Sequence, residues 1–226
     1  MAIETTYFTG NTAADRATDI YNFLNDNGAG VYFDTVSLDT SGDYPTVTAK
    51  IGELTYFNIV VNSTLKLQNS SGVFLANGKF QSMSRSNSMS AYVRGYKTSS
   101  GLWLTDGDGF ATNFLASLFL SKTVSGDPCA VFVNDTDSSA SYSYADFNNS
   151  SVMIKSKNYN ALRSAYSDGG YAPIFPVTVA CPIVFDVGTY TENIIFTPIS
   201  QFPSAVQIID INGVKYVYDG FIGLKE

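Results

Sequence analysis

The stretch from residue 205 to 224, AVQIIDINGVKYVYDGFIGL, constrains the fold more tightly than any other part of the chain. Asn212-Gly213 lies between two apolar, alternating runs. Asn-Gly is the pair that best tolerates the two positive-φ positions of a type I′ turn. A two-residue loop sets the register, so Ile211 faces Val214, Asp210 faces Lys215, Ile209 faces Tyr216 and Ile208 faces Val217. One face then carries Ile209, Ile211, Val214 and Tyr216. The other carries Ile208 and Val217 beside the Asp210–Lys215 pair. Two half-apolar faces predict cover on both sides, by this chain or by a neighbouring subunit. A hairpin alone is marginal in water, so the rest of the chain must supply a sheet.

The preceding sequence has the texture of such a sheet. Short apolar runs recur between Gly, Ser, Asn and Pro turns at 31–38, 46–51, 54–61, 64–68, 73–75, 91–96, 101–105, 116–123, 129–134 and 151–155. Asn77-Gly78 repeats the turn signal. Residues 81–90 and 135–141 read as polar loops, and 158–166 as one or two helical turns. Ile174 to Phe185 is apolar but holds Pro176 and Pro182. Proline donates nothing to a ladder, so an edge strand, a bulge or a strand leaving its sheet is expected there. One amphipathic helix interrupts the β texture. Thr12 caps it, Asp15 completes a capping box, and Ala17, Ile20, Tyr21 and Leu24 form one apolar stripe before Asn27-Gly28. That stripe packs on the sheet or docks a neighbour.

Composition bounds the chemistry. There is no histidine, which removes Ser-His-Asp and Cys-His catalysis and His-ligated metals. The net charge of −7 and the absence of a basic run argue against nucleic acid and anionic membrane surfaces. Only 15% of residues are charged, against roughly 25% in ordinary soluble domains. Ser, Thr, Asn and Tyr supply the polarity instead, which suits contact with protein or sugar. No signal-peptide pattern opens the sequence and no apolar run is long enough for a membrane helix. Cys129 and Cys181, in separate apolar runs, read as buried thiols, with a disulfide the alternative.

Chemical motifs are weak. Asp106 and Asp108 form a carboxylate pair of the kind glycoside hydrolysis uses, and the same DGDG is also what a turn looks like. Neither it nor Asp135-Thr136-Asp137 carries the ligand series of an EF-hand. Gly28-Ala29-Gly30 follows a helix and precedes a strand, the reverse of a dinucleotide fingerprint. No cofactor and no metal site is expected. Tyr92, Tyr96, Tyr142 and Tyr144 gather near Ser- and Gly-rich loops and are the candidate glycan contacts; packing across strands is the competing use.

Three places, the MAIETTYF arm with the helix ending DIYNFLNDN, the Asn/Ser/Tyr-rich β middle and the closing INGVKYVYDGFIGLKE, resemble virion structural proteins of tailed bacteriophages of gut bacteria. That resemblance implies a non-enzymatic subunit of a capsid, neck or tail. It would assemble in the bacterial cytoplasm as a symmetric homo-oligomer with other virion proteins, and reside in the virion. A glycan- or receptor-binding module at a virion tip is the alternative. The expected fold is mainly β: an antiparallel β-sandwich or jelly-roll-like domain at 29–226, after an arm and helix at 1–28, with a subdivision near 105–115 left open. Ile20, Tyr21, Leu24, Ile208 and Val217 are the candidate interface residues.

Overall fold

The fold is described, in a computed structural model, for residues 3–61, 63–68, 74–80, 93–106, 116–136, 139–146, 152–155, 181–186, 189–196, 207–218 and 222–226. It is mainly β, with one helix among these residues. Among the described residues every strand pairing is antiparallel.

One sheet runs in the order β1 (Glu4–Tyr7), β7 (Val93–Lys97), β8 (Leu102–Asp106), β9 (Ala116–Lys122), β10 (Pro128–Thr136), β11 (Ser139–Asp146) and β12 (Val152–Lys155). A second runs β2 (Thr35–Asp39), β3 (Thr46–Ile51), β4 (Leu54–Val60), β5 (Ser63–Gln68) and β6 (Phe74–Phe80). A third runs β13 (Cys181–Asp186), β14 (Thr189–Phe196), β17 (Ile222–Lys225), β16 (Val214–Tyr218) and β15 (Gln207–Ile211). Of the two forms expected, the sandwich is the one the strand order follows. The second sheet and β7 to β12 of the first are meanders, whereas a jelly roll would pass consecutive strands between sheets.

Period-2 alternation explains how the first two sheets share a core. Leu102, Leu104, Leu118, Leu120, Ala130 and Phe132 of the first meet Val47, Ala49, Phe57, Ile59, Leu65 and Leu67 of the second, and all are buried. The helix α1 (Ala13–Asn27) adds Ala17, Ile20, Phe23 and Leu24 to the same core. Of residues 1–28, the described ones from 3 on enter the fold as an edge strand, β1, and a core-packed helix. β8 and β9 pair directly from Leu102↔Leu120 to Asp106↔Ala116, and residues 107–115 between them lie outside the described residues.

The helix start follows its capping box. Thr12 Oγ1 accepts the Asp15 N–H at 3.1 Å, and Asp15 Oδ2 accepts the Thr12 N–H at 3.1 Å. Gly28 closes the helix at φ −116°, so it is not there for a left-handed cap. A Cβ at that position would lie 2.5 Å from the Phe33 ring. Thr12→Ala is expected to cost about 1 kcal/mol, read by chemical denaturation. The Thr12 hydroxyl and backbone hydrogen bonds hold the Asp15 carboxyl below its ordinary 3.8. A depressed folded-state pKa stabilises above the ordinary value and is lost as pH falls through the folded one. The amides of the first helical turn should accordingly lose exchange protection on acidification below about pH 4, and the change should be smaller in Thr12→Ala, which loses the hydroxyl but keeps the backbone N–H that Asp15 accepts.

Several expectations are corrected. Val31 to Phe33 forms a turn, not a strand: Gly30 has φ +73°, and Tyr32 and Phe33 turn into the core. Asp34 separates this turn from β2, and its Oδ2 accepts the Gly52 N–H at 2.6 Å, which ties the loop to the β3–β4 turn. Asn77-Gly78 is not a turn; it lies within β6, paired with Lys66 and Leu65. The polar run at 135–141 belongs largely to β10 and β11, which pair up to Thr136↔Ser139. The run from Ile174 meets expectation where it is described: β13 is an edge strand, with a register shift at Pro182/Ile183. Residues 81–90, 158–166 and 174–180 lie outside the described residues.

The closing hairpin has the expected register at all four pairs, with positive φ at Asn212 (54°) and Gly213 (82°). The expected cover is only partly present. Ile211 and Tyr216 are buried with Ile195 on one face. On the other, Val217 is buried and Ile208 is 60% exposed. The cause is a strand absent from the sequence reading. β17 returns beside β16, pairs Leu224 with Val217, and covers it. Ile208 sits on β15, at the sheet edge, beyond that cover.

Candidate functional site

The sequence-derived candidates do not converge. Ile20 and Leu24 are fully buried against this chain's own sheets, and Tyr21 is partly buried against the same core. Val217 is 1% exposed. These side chains pack inward because the helix stripe and the hairpin both find apolar partners within the chain, so only Ile208 of the five offers a large apolar surface. Tyr96 is 4% exposed, which removes it from any sugar-stacking role. Its ring stacks on Trp103 at 4.7 Å, and Trp103 on Phe119 at 5.1 Å. Burial raises the Tyr96 phenol pKa, against a lowering hydrogen bond from Arg94. In backbone register Tyr144 pairs with Val131 and Val152, and Tyr142 with Val133 and Ile154. Tyr92 and Asp108 lie outside the described residues, and Asp106 ends β8. Cys129 is buried in β10. Among the described residues no three acidic or cysteine side chains gather as a metal site, and no helix is long and apolar enough to cross a membrane.

A different place has the geometry of a site. It lies between β1 and α1 and was not legible in the sequence. The loop from Phe8 to Thr12 is pinned to the helix: Asp19 Oδ2 accepts the Gly10 N–H at 3.0 Å, and Arg16 Nε donates to the Gly10 carbonyl at 2.9 Å. A Cβ at Gly10 would lie 2.6 Å from Arg16 N, so this close turn requires glycine. Phe8 and Phe23 meet edge to face at 5.6 Å. Phe23 in turn fits under β7 because Gly95 has no side chain; a Cβ there would lie 2.6 Å from its ring. These contacts hold α1 alongside the edge strand.

Between them is a cavity of about 200 Å³ lined by Thr6, Tyr7, Phe8, Asp19, Asn22, Phe23, Asp26 and Asn27. Asp19, Asn22 and Asp26 are spaced i, i+3 and i+7, so they share one stripe beside the buried one. Two carboxylates and no basic side chain line the cavity. Asn27 is already used, donating Nδ2–H to the Phe23 carbonyl at 2.8 Å. Tyr7 is 54% exposed at the rim, with the Arg94 guanidinium 5.3 Å from its ring centroid. The arrangement can attract cationic groups and offers strand backbone beside them.

Comparison with protein-family models, with curated proteins and with solved structures finds no match for this chain.

Proposed function

We propose that this protein is a structural subunit of a bacteriophage virion, assembling symmetrically with copies of itself and with other virion proteins in the cytoplasm of its bacterial host. The likeness of its arm, helix and closing hairpin to phage virion proteins supports the phage setting. One observation carries the assembly reading: Ile208, 60% exposed on the outer strand of the third sheet. Open edges in monomeric proteins are usually blunted by lysine, proline or a bulge. The β15 sequence QIIDI holds no lysine and no proline, its one charge, Asp210, is turned to the hairpin tip where it accepts the Gly213 N–H at 2.8 Å, and its ladder with β16 runs without a register shift. An aliphatic edge of this kind is suited to cover by a neighbour.

Light scattering and electron microscopy of the purified protein test the reading. Wild type should associate in a concentration-dependent way or join particles with other virion proteins. Ile208→Lys should shift it toward monomer while changing stability by no more than about 0.5 kcal/mol, since the side chain is exposed. A wild-type protein that stays monomeric, alone and with virion proteins, overturns it.

A further inference from the structure

We propose that the groove between β1 and α1 binds an extended, basic segment of a partner polypeptide, which adds as a further strand on the open edge of β1.

The open edge follows from ladder phase. In an antiparallel pair, residues alternately exchange both backbone hydrogen bonds and exchange none. The Thr98 N–H donates to the Gly101 carbonyl at 3.0 Å, closing the two-residue loop between β7 and β8. Counting back along the register, Tyr96↔Trp103 and Arg94↔Thr105 exchange bonds. Gly95 and Lys97 then direct their backbone groups the other way, toward Thr6 and Glu4. Thr5 and Tyr7 are left with N–H and C=O pointing away from β7. Among the described residues β1 has no neighbour on that side.

Charge decides the occupant. The helix wall presents Asp19 and Asp26, and no basic residue lines the groove. A strand carrying lysine or arginine on alternate positions would place its cations on the side of the helix carboxylates while its backbone pairs with Thr5 and Tyr7. Main-chain pairing supplies affinity and the side-chain wall selects, as in strand addition generally. A second copy of this chain, at net charge −7, suits the groove poorly. The groove is therefore separate from the Ile208 edge, and the two readings stand or fall apart.

The test uses the full chain and a fluorescently labelled nine-residue peptide in which lysine alternates with threonine and valine. A second peptide carries glutamate in place of lysine. Binding is read by anisotropy and site by amide exchange. The lysine peptide should bind, weaken with added salt, and protect the amides of Thr5 and Tyr7, while Thr6 changes little because β7 already pairs with it. The double variant Asp19→Asn with Asp26→Asn, which keeps an acceptor for Gly10, should bind about fivefold more weakly, as for two partly exposed charge contacts. Tyr7→Pro removes an outward donor and no bond to β7, and should abolish protection at Thr5. No binding of the lysine peptide overturns the proposal, as does equal binding of the glutamate peptide. Protection of Thr5 and Tyr7 by self-association without peptide also overturns it, assigning the edge to a second copy.

Discussion

Trp103→Ala is expected to remove about 3–5 kcal/mol of stability, a large part of what holds a domain of this kind folded. Trp103 is the single tryptophan and is fully buried. It lies at the middle of a row of side chains that crosses three strands: Tyr96 on β7, Trp103 on β8 and Phe119 on β9, with Val131 on β10 next in register. The rings are nearly parallel, at 22° and 12°. Each such pair adds about 0.5–1.5 kcal/mol beyond the area it buries. Removing the central ring breaks both stacks and leaves a cavity that two flanking strands cannot close. The indole also carries a cost. Its Nε1–H finds no hydrogen-bond partner among the described residues, and an unpaired buried donor costs about 1–3 kcal/mol. Trp103→Phe keeps a ring in the row and removes that donor, so its loss should be well under half that of Trp103→Ala. Because the substitution removes the fluorophore, denaturation is followed by far-ultraviolet circular dichroism. Equal losses in the two variants would show that the stack contributes little.

How much of this was readable in the residues depends on how local the cause is. The hairpin register was legible because Asn212-Gly213 imposes it across two residues, and the helix start was legible because Thr12 and Asp15 bond each other. Mainly-β architecture followed from repeated short runs and turns. β1 was not legible: ETTY is exposed at all four positions, so no apolar alternation marks it, and its partner β7 lies some ninety residues on. Asn77-Gly78 carries a strong turn signal, yet pairing with β5 overrides it, because turn preference is local and weak beside a six-residue ladder. Val31 to Phe33 has strand composition, but two of its three side chains serve as a plug for the core. The groove was hidden for the same reason as β1. It joins residues 6–8 to one face of a helix, and it exists only if the arm is a strand. Of the proposed interface, Ile208 and Val217 were visible as apolar positions, but which of them stays uncovered depends on a third strand.

That third strand gives the second large effect. Deleting Ile222 to Glu226 should disconnect the closing hairpin from the rest of the third sheet. β17 is its middle strand: it pairs with β14 from Ile194↔Leu224 to Phe196↔Ile222, and with β16 from Tyr216↔Lys225 to Tyr218↔Gly223. Its local signal is poor, since IGLK holds a glycine. Yet Gly223 fits for a physical reason: a Cβ there would press on Tyr216 at 3.1 Å and Ile195 at 3.2 Å, the side chains of the small core on that face. Leu224, fully buried, points to the other face, where a Cβ at Gly101 would lie 2.8 Å from its Cδ1. It therefore spans the joint between the third sheet and the first. Thr191 Oγ1 donating to the Lys122 carbonyl at 2.9 Å and Val124 N–H donating to the Tyr190 carbonyl at 2.9 Å hold the same joint. Without β17 the hairpin is an isolated two-stranded unit, which is marginal in water. Amide exchange should show protection lost from Ile208 to Val217 and retained in β8 to β10, while Leu224→Ala alone should cost about 2–5 kcal/mol. If the deletion leaves the hairpin amides protected, the hairpin draws its stability from the first sheet directly, and β17 is a cover rather than the strand that joins the two.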